Sequence, residues 1–118
     1  MTIKQMTGSI LPVTLMCCIT LFSGIANADA IEDGKKVAFD RKKGNCLACH
    51  MIPGGSLPGN IGPPLVAMKA RFPDKAKLRE QIWDATANNP NTIMPPFGKH
   101  QILSEKEVDL VTAFIYSL

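Results

Sequence analysis

The segment Cys46-Leu47-Ala48-Cys49-His50 constrains this chain more than any other, because two thiols three positions apart, followed at once by an imidazole, have the spacing that attaches haem c. On a helical turn the thiols of Cys46 and Cys49 meet the two vinyl groups of one macrocycle, and His50 ligates the iron on the proximal face. A chain built around this motif folds around a flat apolar cofactor that becomes a permanent part of its core.

CxxC pairs also serve zinc sites and thioredoxin-like redox centres. A structural zinc site wants four ligands, and beyond the first 28 residues the Cys and His residues are Cys46, Cys49, His50 and His100. Using neighbours 49 and 50 together is awkward in a tetrahedral site. A dithiol oxidoreductase needs a βαβ pattern around the motif, and no such pattern is visible.

Residues 1–28 read as a secretory signal, with Lys4 in a short polar start, an apolar run over 10–25 and Ala26-Asn27-Ala28 as a small-x-small cleavage site. The mature domain is then 29–118, exported to the periplasm. The apolar run is shorter than the ~20 residues that span a bilayer, so cleavage is expected rather than a stable membrane anchor. Cys17 and Cys18 lie inside that run as small hydrophobes, and Met16 before Cys17 does not suit a lipid-modified cysteine, which normally follows a small residue.

A mature domain of this size holds only a marginal apolar core, and a buried haem is the staple it needs. Few aromatics and many Gly and Pro suit helices joined by shaped loops, and no strand-like alternation stands out. The chain has 13 basic and 10 acidic side chains, a near balance that does not point to nucleic acid. Lys35, Lys36, Arg41, Lys42 and Lys43 cluster before the motif, and Lys75, Lys77 and Arg79 form a second group; each reads first as a solvated helix face and second as a steering patch.

Periodicity predicts a first helix over 29–42 with Asp29 as cap, in which Gly34 requires a closely packed neighbour. Gly44-Asn45 breaks it, leaving a separate turn for Cys46 to His50. Residues 52–64, rich in Pro and Gly, form a shaped loop over the proximal haem face. Within it the Pro63 carbonyl is expected to accept the second N–H of His50. A short helix over 65–71 follows, then a longer one from Pro73 through about Ala87 that carries Trp83, either in the core or reaching a haem propionate. Ser104 and Glu107 form a capping box for a last helix to the end of the chain, whose apolar face, a stripe of Val108, Val111 and Ile115 joined by Leu110 and Phe114, should cross the first helix near Gly34 and Ala38.

The second axial position of the iron has Met94, His100, water or an outside ligand as candidates. Met51 is too close to His50, and Met68 falls on the core side of a helix. Met94 sits in Ile93-Met94-Pro95-Pro96-Phe97-Gly98, where two prolines stiffen the backbone and present a thioether without a helix behind it, so Met94 is the expected distal ligand. His100 reads as a surface histidine.

These pieces in this order resemble the class I cytochrome c fold, an all-α domain of about four helices and shaped loops around one covalent haem c. Gly44-Asn45-Cys46-Leu47-Ala48-Cys49-His50, Gly59-Asn60-Ile61-Gly62-Pro63, Met94-Pro95-Pro96-Phe97-Gly98 and the tail over 103–118 are similar to the SoxX family, the monohaem subunits of sulfur-oxidising SoxAX complexes. The resemblance implies His50 and Met94 as iron ligands, Cys46 and Cys49 as thioether sites, and a SoxA-like haem subunit as partner in a heterodimer. It further implies that the complex, an L-cysteine S-thiosulfotransferase, oxidatively joins thiosulfate to a cysteine of the SoxYZ carrier, and that this subunit passes electrons to a downstream cytochrome. Haem attachment leaves the mature chain no free cysteine, so the chain alone is not expected to be a catalyst. The alternative is a free, diffusible periplasmic carrier for an oxidase or reductase; a haem sensor with an open sixth site is the third class.

Overall fold

A computed structural model describes residues 23–118. Residues 1–22, which hold most of the expected signal segment together with Cys17 and Cys18, lie outside the described residues. The described chain is all-helical, with four α-helices, two 3-10 turns and no strand. The helices are α1 (Ser23–Phe39), α2 (Met68–Arg71), α3 (Lys75–Trp83) and α4 (Glu105–Tyr116).

Helix α1 begins before Asp29, which lies inside it instead of capping it. Ile25-Ala26-Asn27-Ala28 contains no breaker, and alanine is the strongest helix former, so the helix runs through the expected cleavage point. It ends at Phe39, short of Lys42, because Asp40 diverts the backbone: its carboxylate accepts from Lys42 N at 2.8 Å and its carbonyl from Asn45 N at 3.0 Å. Asn45 then takes a left-handed conformation, φ 49°, which asparagine tolerates better than most residues, and the chain turns into a 3-10 turn at Cys46–Ala48.

Helices α1 and α4 cross where Gly34 meets Leu110 and Phe114 of α4. A Cβ on Gly34 would stand 2.0 Å from the Leu110 carbonyl oxygen and 2.9 Å from the Phe114 Cβ, so only glycine permits this approach. Phe39 closes the crossing edge-on against Phe114, with ring centroids 5.8 Å apart. The expected stripe Val108, Val111 and Ile115 is buried, and Thr112 is buried among them with its hydroxyl donating to the Val108 carbonyl at 2.7 Å. The capping box is formed: Glu107 N donates to Ser104 Oγ at 3.2 Å, and Ser104 N donates to Glu107 Oε2 at 2.9 Å.

Two helices are shorter than their apolar spacing predicts. Ala67 is left-handed and Pro63-Pro64 cannot donate, so α2 starts at Met68 and not at Leu65. Helix α3 is capped by Asp74, whose side chain accepts from Ala76 N at 2.9 Å, and stops at Trp83 because the Asp84 carboxylate accepts from Thr86 N and starts the 3-10 turn Ala85–Ala87. The long loops 49–67 and 88–103 are therefore free of helix, and they form the two flaps of the site.

Candidate functional site

The Cys46–His50 turn is held by its own backbone and by the loop that follows. Within the turn, Cys49 N and His50 N both donate to the Cys46 carbonyl, at 3.2 and 2.9 Å. Three donors of the 52–65 segment then stitch the loop alongside: Gly59 N to Leu47 O at 2.8 Å, Gly62 N to Cys49 O at 2.8 Å and Leu65 N to Met51 O at 2.9 Å. Both glycines are needed for this closeness. A Cβ on Gly59 would lie 2.0 Å from the Ala48 carbonyl oxygen, and one on Gly62 would lie 2.4 Å from Cε1 of the His50 ring.

The imidazole is oriented by the same loop. His50 Nδ1 lies 2.7 Å from the Pro63 carbonyl oxygen. A carbonyl only accepts, so the proton belongs on Nδ1 and the lone pair is left on Nε2, the tautomer a metal ligand needs.

Met94 arrives from the other flap. Its backbone N–H donates to Thr92 Oγ1 at 3.2 Å, and its side chain is half-buried against the core. Behind it the loop is pinned to the end of α3: Gly98 N and Lys99 N both donate to the Trp83 carbonyl at 3.1 Å, and Lys99 pairs with Asp84 at 2.8 Å. Gly98 also accommodates the indole, since a Cβ there would meet Trp83 Cε3 at 2.0 Å. Trp83 is thus a wall for the Met94 loop and does not line the cavity between the flaps. Its expected alternative as a packed, half-buried tryptophan is the one adopted, with Arg79 lying over the ring at 5.3 Å.

Between the flaps is a cavity of about 570 Å³, inside the range of cofactor clefts. Cys46, Cys49, His50, Pro63 and Met94 all line it, and most of the remaining wall is apolar, including Leu65, Met68, Phe97, Val111 and Ile115. His100 is not among the lining residues. Met68 is fully buried, as its helix position predicts, and contributes wall as well as core. The mouth was not legible in the sequence: Ile61, Ile93 and Ile102 line the cavity yet are exposed, Ile93 at 73%, Ile61 at 64% and Ile102 at 44%.

The donor set discriminates among chemistries. The two cysteines are free, and burial pushes the Cys46 thiol up to about 11. A dithiol oxidoreductase needs the opposite, a thiol held low enough to be a thiolate near neutrality. Among the described residues no three His, Cys, Asp or Glu side chains converge as a metal cluster, so the four-ligand arrangement of structural zinc is not assembled. An apolar slot with two thiols, an oriented imidazole and a thioether on its walls fits haem c.

Fold and slot together define a class I cytochrome c-like domain, the class whose cofactor is haem c. The profile of the family described as cytochrome c oxidase, cbb3-type, subunit III matches residues 29–115, and the chain belongs to that family. An uncharacterized lipoprotein of Aquifex aeolicus (strain VF5) is 34% identical over 76 residues, which are 64% of this chain and 37% of the relative, so the chain spans little more than a third of the relative's length. Among solved structures, the crystal structure of SoxXA from P. pantotrophus is similar at 28% identity with a TM-score of 0.65, covering 73% of this chain and 79% of that one.

Proposed function

We propose that the protein is the electron-transfer subunit of a SoxAX-type complex, with the mature domain 29–118 working in the periplasm. The observation that carries this reading is the convergence of Cys46, Cys49, His50 and Met94, from separated stretches of chain, on one apolar slot. The similarity to SoxXA supports the choice of complex.

In this reading Cys46 and Cys49 would hold the haem through thioether bonds, and His50, oriented by Pro63, and Met94 would ligate its iron. Haem c would supply a one-electron ferric/ferrous couple, and a thioether ligand such as Met94 would favour its ferrous state. Joining a thiol to thiosulfate forms an S–S bond and releases a proton and two electrons. Those electrons would leave a SoxA-like partner one at a time through this chain toward a downstream cytochrome, while SoxYZ meets the complex at the partner. The apolar rim of Ile61, Ile93 and Ile102 supports a covered mouth, as a subunit has, since a free carrier keeps a wettable rim for brief encounters.

A free, diffusible carrier is the second reading. The oxidase-subunit description of the family favours it, as do Arg41 and Lys42, exposed cations beside the cavity.

The separating experiment is affinity purification of the tagged holoprotein from its host grown on thiosulfate, with mass spectrometry and haem counting of what co-purifies. A stoichiometric haem-bearing SoxA-like partner is expected; a lone monohaem protein would overturn the subunit reading in favour of the carrier. The intact mass of the same preparation tests export: a chain starting at Asp29 is expected. A diacylated Cys17 or Cys18, the state that kinship with a lipoprotein raises, would replace cleavage at Ala28 with an anchor.

A further inference from the structure

Pro63 and Pro64 have no N–H, so these two residues are held only through their carbonyl oxygens and fixed φ angles. The Pro63 oxygen faces His50 Nδ1 at 2.7 Å. The Pro64 oxygen accepts from Arg71 Nη1, also at 2.7 Å, and the same nitrogen stands 3.4 Å from the Met68 sulfur. Leu65 N, on the same peptide as the Pro64 oxygen, donates to Met51 O, so that peptide is clamped on both edges. Arg71 closes α2 and itself lines the cavity, and Phe72 N bonds back to Met68 O at 2.7 Å to hold the helix end in place.

We propose that Arg71 is a positioning residue for His50: its guanidinium fixes the Pro63-Pro64 backbone in the orientation from which the Pro63 carbonyl accepts the Nδ1 proton. The proposal rests on the reading of His50 as proximal ligand. Arg71 does not touch the imidazole; it acts through one peptide. Loss of the guanidinium leaves that peptide held at one edge only, by Leu65 N on Met51 O, so ψ of Pro64 loosens, the Pro63 acceptor drifts, and the ring holds its proton less well aligned. A weaker acceptor leaves the imidazole less electron-rich, which favours ferrous iron.

The test uses the full haem-loaded protein and the His50 Nδ1 proton, followed by NMR for its shift and its exchange with solvent. In wild type this resonance should be displaced by the bound haem iron; if it is not, His50 is not the ligand, and both the reading and the proposal fall. In Arg71→Met the proton should exchange at least about tenfold faster, because local opening sets the exchange rate. Arg71→Lys keeps the charge and one donor at shorter reach, so its exchange should fall between the two and its midpoint potential should rise above wild type. Exchange within about twofold of wild type in Arg71→Met overturns the proposal while leaving His50 as ligand intact. Should Arg71→Met fail to load haem, Arg71→Lys decides alone: wild-type exchange and potential there also overturn it.

Discussion

At the scale of single residues, the site depends on side chains whose chemistry is fixed and whose presentation is borrowed from the backbone. Met94 is held by Thr92 and by a loop pinned to Trp83, so its thioether is delivered without a helix. Met94→Ala should therefore leave the fold intact, remove the thioether-to-iron absorption band of the ferric protein and lower the midpoint potential, both read by spectroelectrochemistry. An unchanged spectrum would cancel the Met94 assignment and reopen the sensor class. The sequence singles out the Cys46–His50 motif and Met94 as candidates because each is a local pattern, a thiol spacing in one case and flanking prolines in the other, and the structure brings both to one cavity. Arg71 was not, because its role is a hydrogen bond to a carbonyl seven positions back, and no residue type marks such a bond.

At the scale of elements, the crossing of α1 and α4 is the joint on which the rest depends. Gly34→Ala puts a methyl 2.0 Å from the Leu110 carbonyl oxygen, which belongs to a helix backbone and cannot rotate away. Overpacking of this kind costs about 1–3 kcal/mol, so the urea midpoint of the holoprotein should drop while the spectrum of the bound haem stays the same. Helix α4 is also tied at its start. The Lys43 ammonium, and after it the Ser104 N–H, hold the Glu107 carboxyl down from its ordinary 4.5 to about 2. A carboxyl lowered by folding adds stability that is complete above the unfolded value and lost as pH falls from about 4.5 to about 2. Glu107→Gln retains a capping-box side chain but not the charge. It should cost less than about 1 kcal/mol at pH 7 and flatten the acid limb in that window, as seen in denaturant midpoints taken against pH. The capping box was readable as a sequence pattern, whereas the early ends of α1 and α3 were not. Asp40 and Asp84 each offer a side-chain acceptor that competes with helical bonding, and periodicity counts only apolar positions.

At the scale of the whole molecule, two helix-free loops from distant parts of the chain close on one slot and surround its mouth with Ile61, Ile93 and Ile102. If this mouth is covered by a partner, replacing all three by serine should weaken the complex by at least about tenfold, equivalent to ~1.4 kcal/mol. The midpoint potential of the isolated chain should not move. Binding measured by calorimetry and potential measured by voltammetry together check this, and undiminished affinity would place the partner elsewhere.

Sequence alone pointed to the haem c class, singled out the two thiols, the imidazole and the methionine loop as site candidates, and determined the glycine at the helix crossing and the capping box of α4. All of these are short-range patterns in which neighbouring residues carry the chemistry. Only the tertiary structure decided where the helices stop, that Trp83 walls the Met94 loop and does not face the cavity, that three isoleucines share a mouth, and that Arg71 lies against the proximal loop. Those features arise from backbone carbonyls, side-chain acceptors and loop tips meeting across long stretches of chain, and such contacts exist only after the chain has closed on itself.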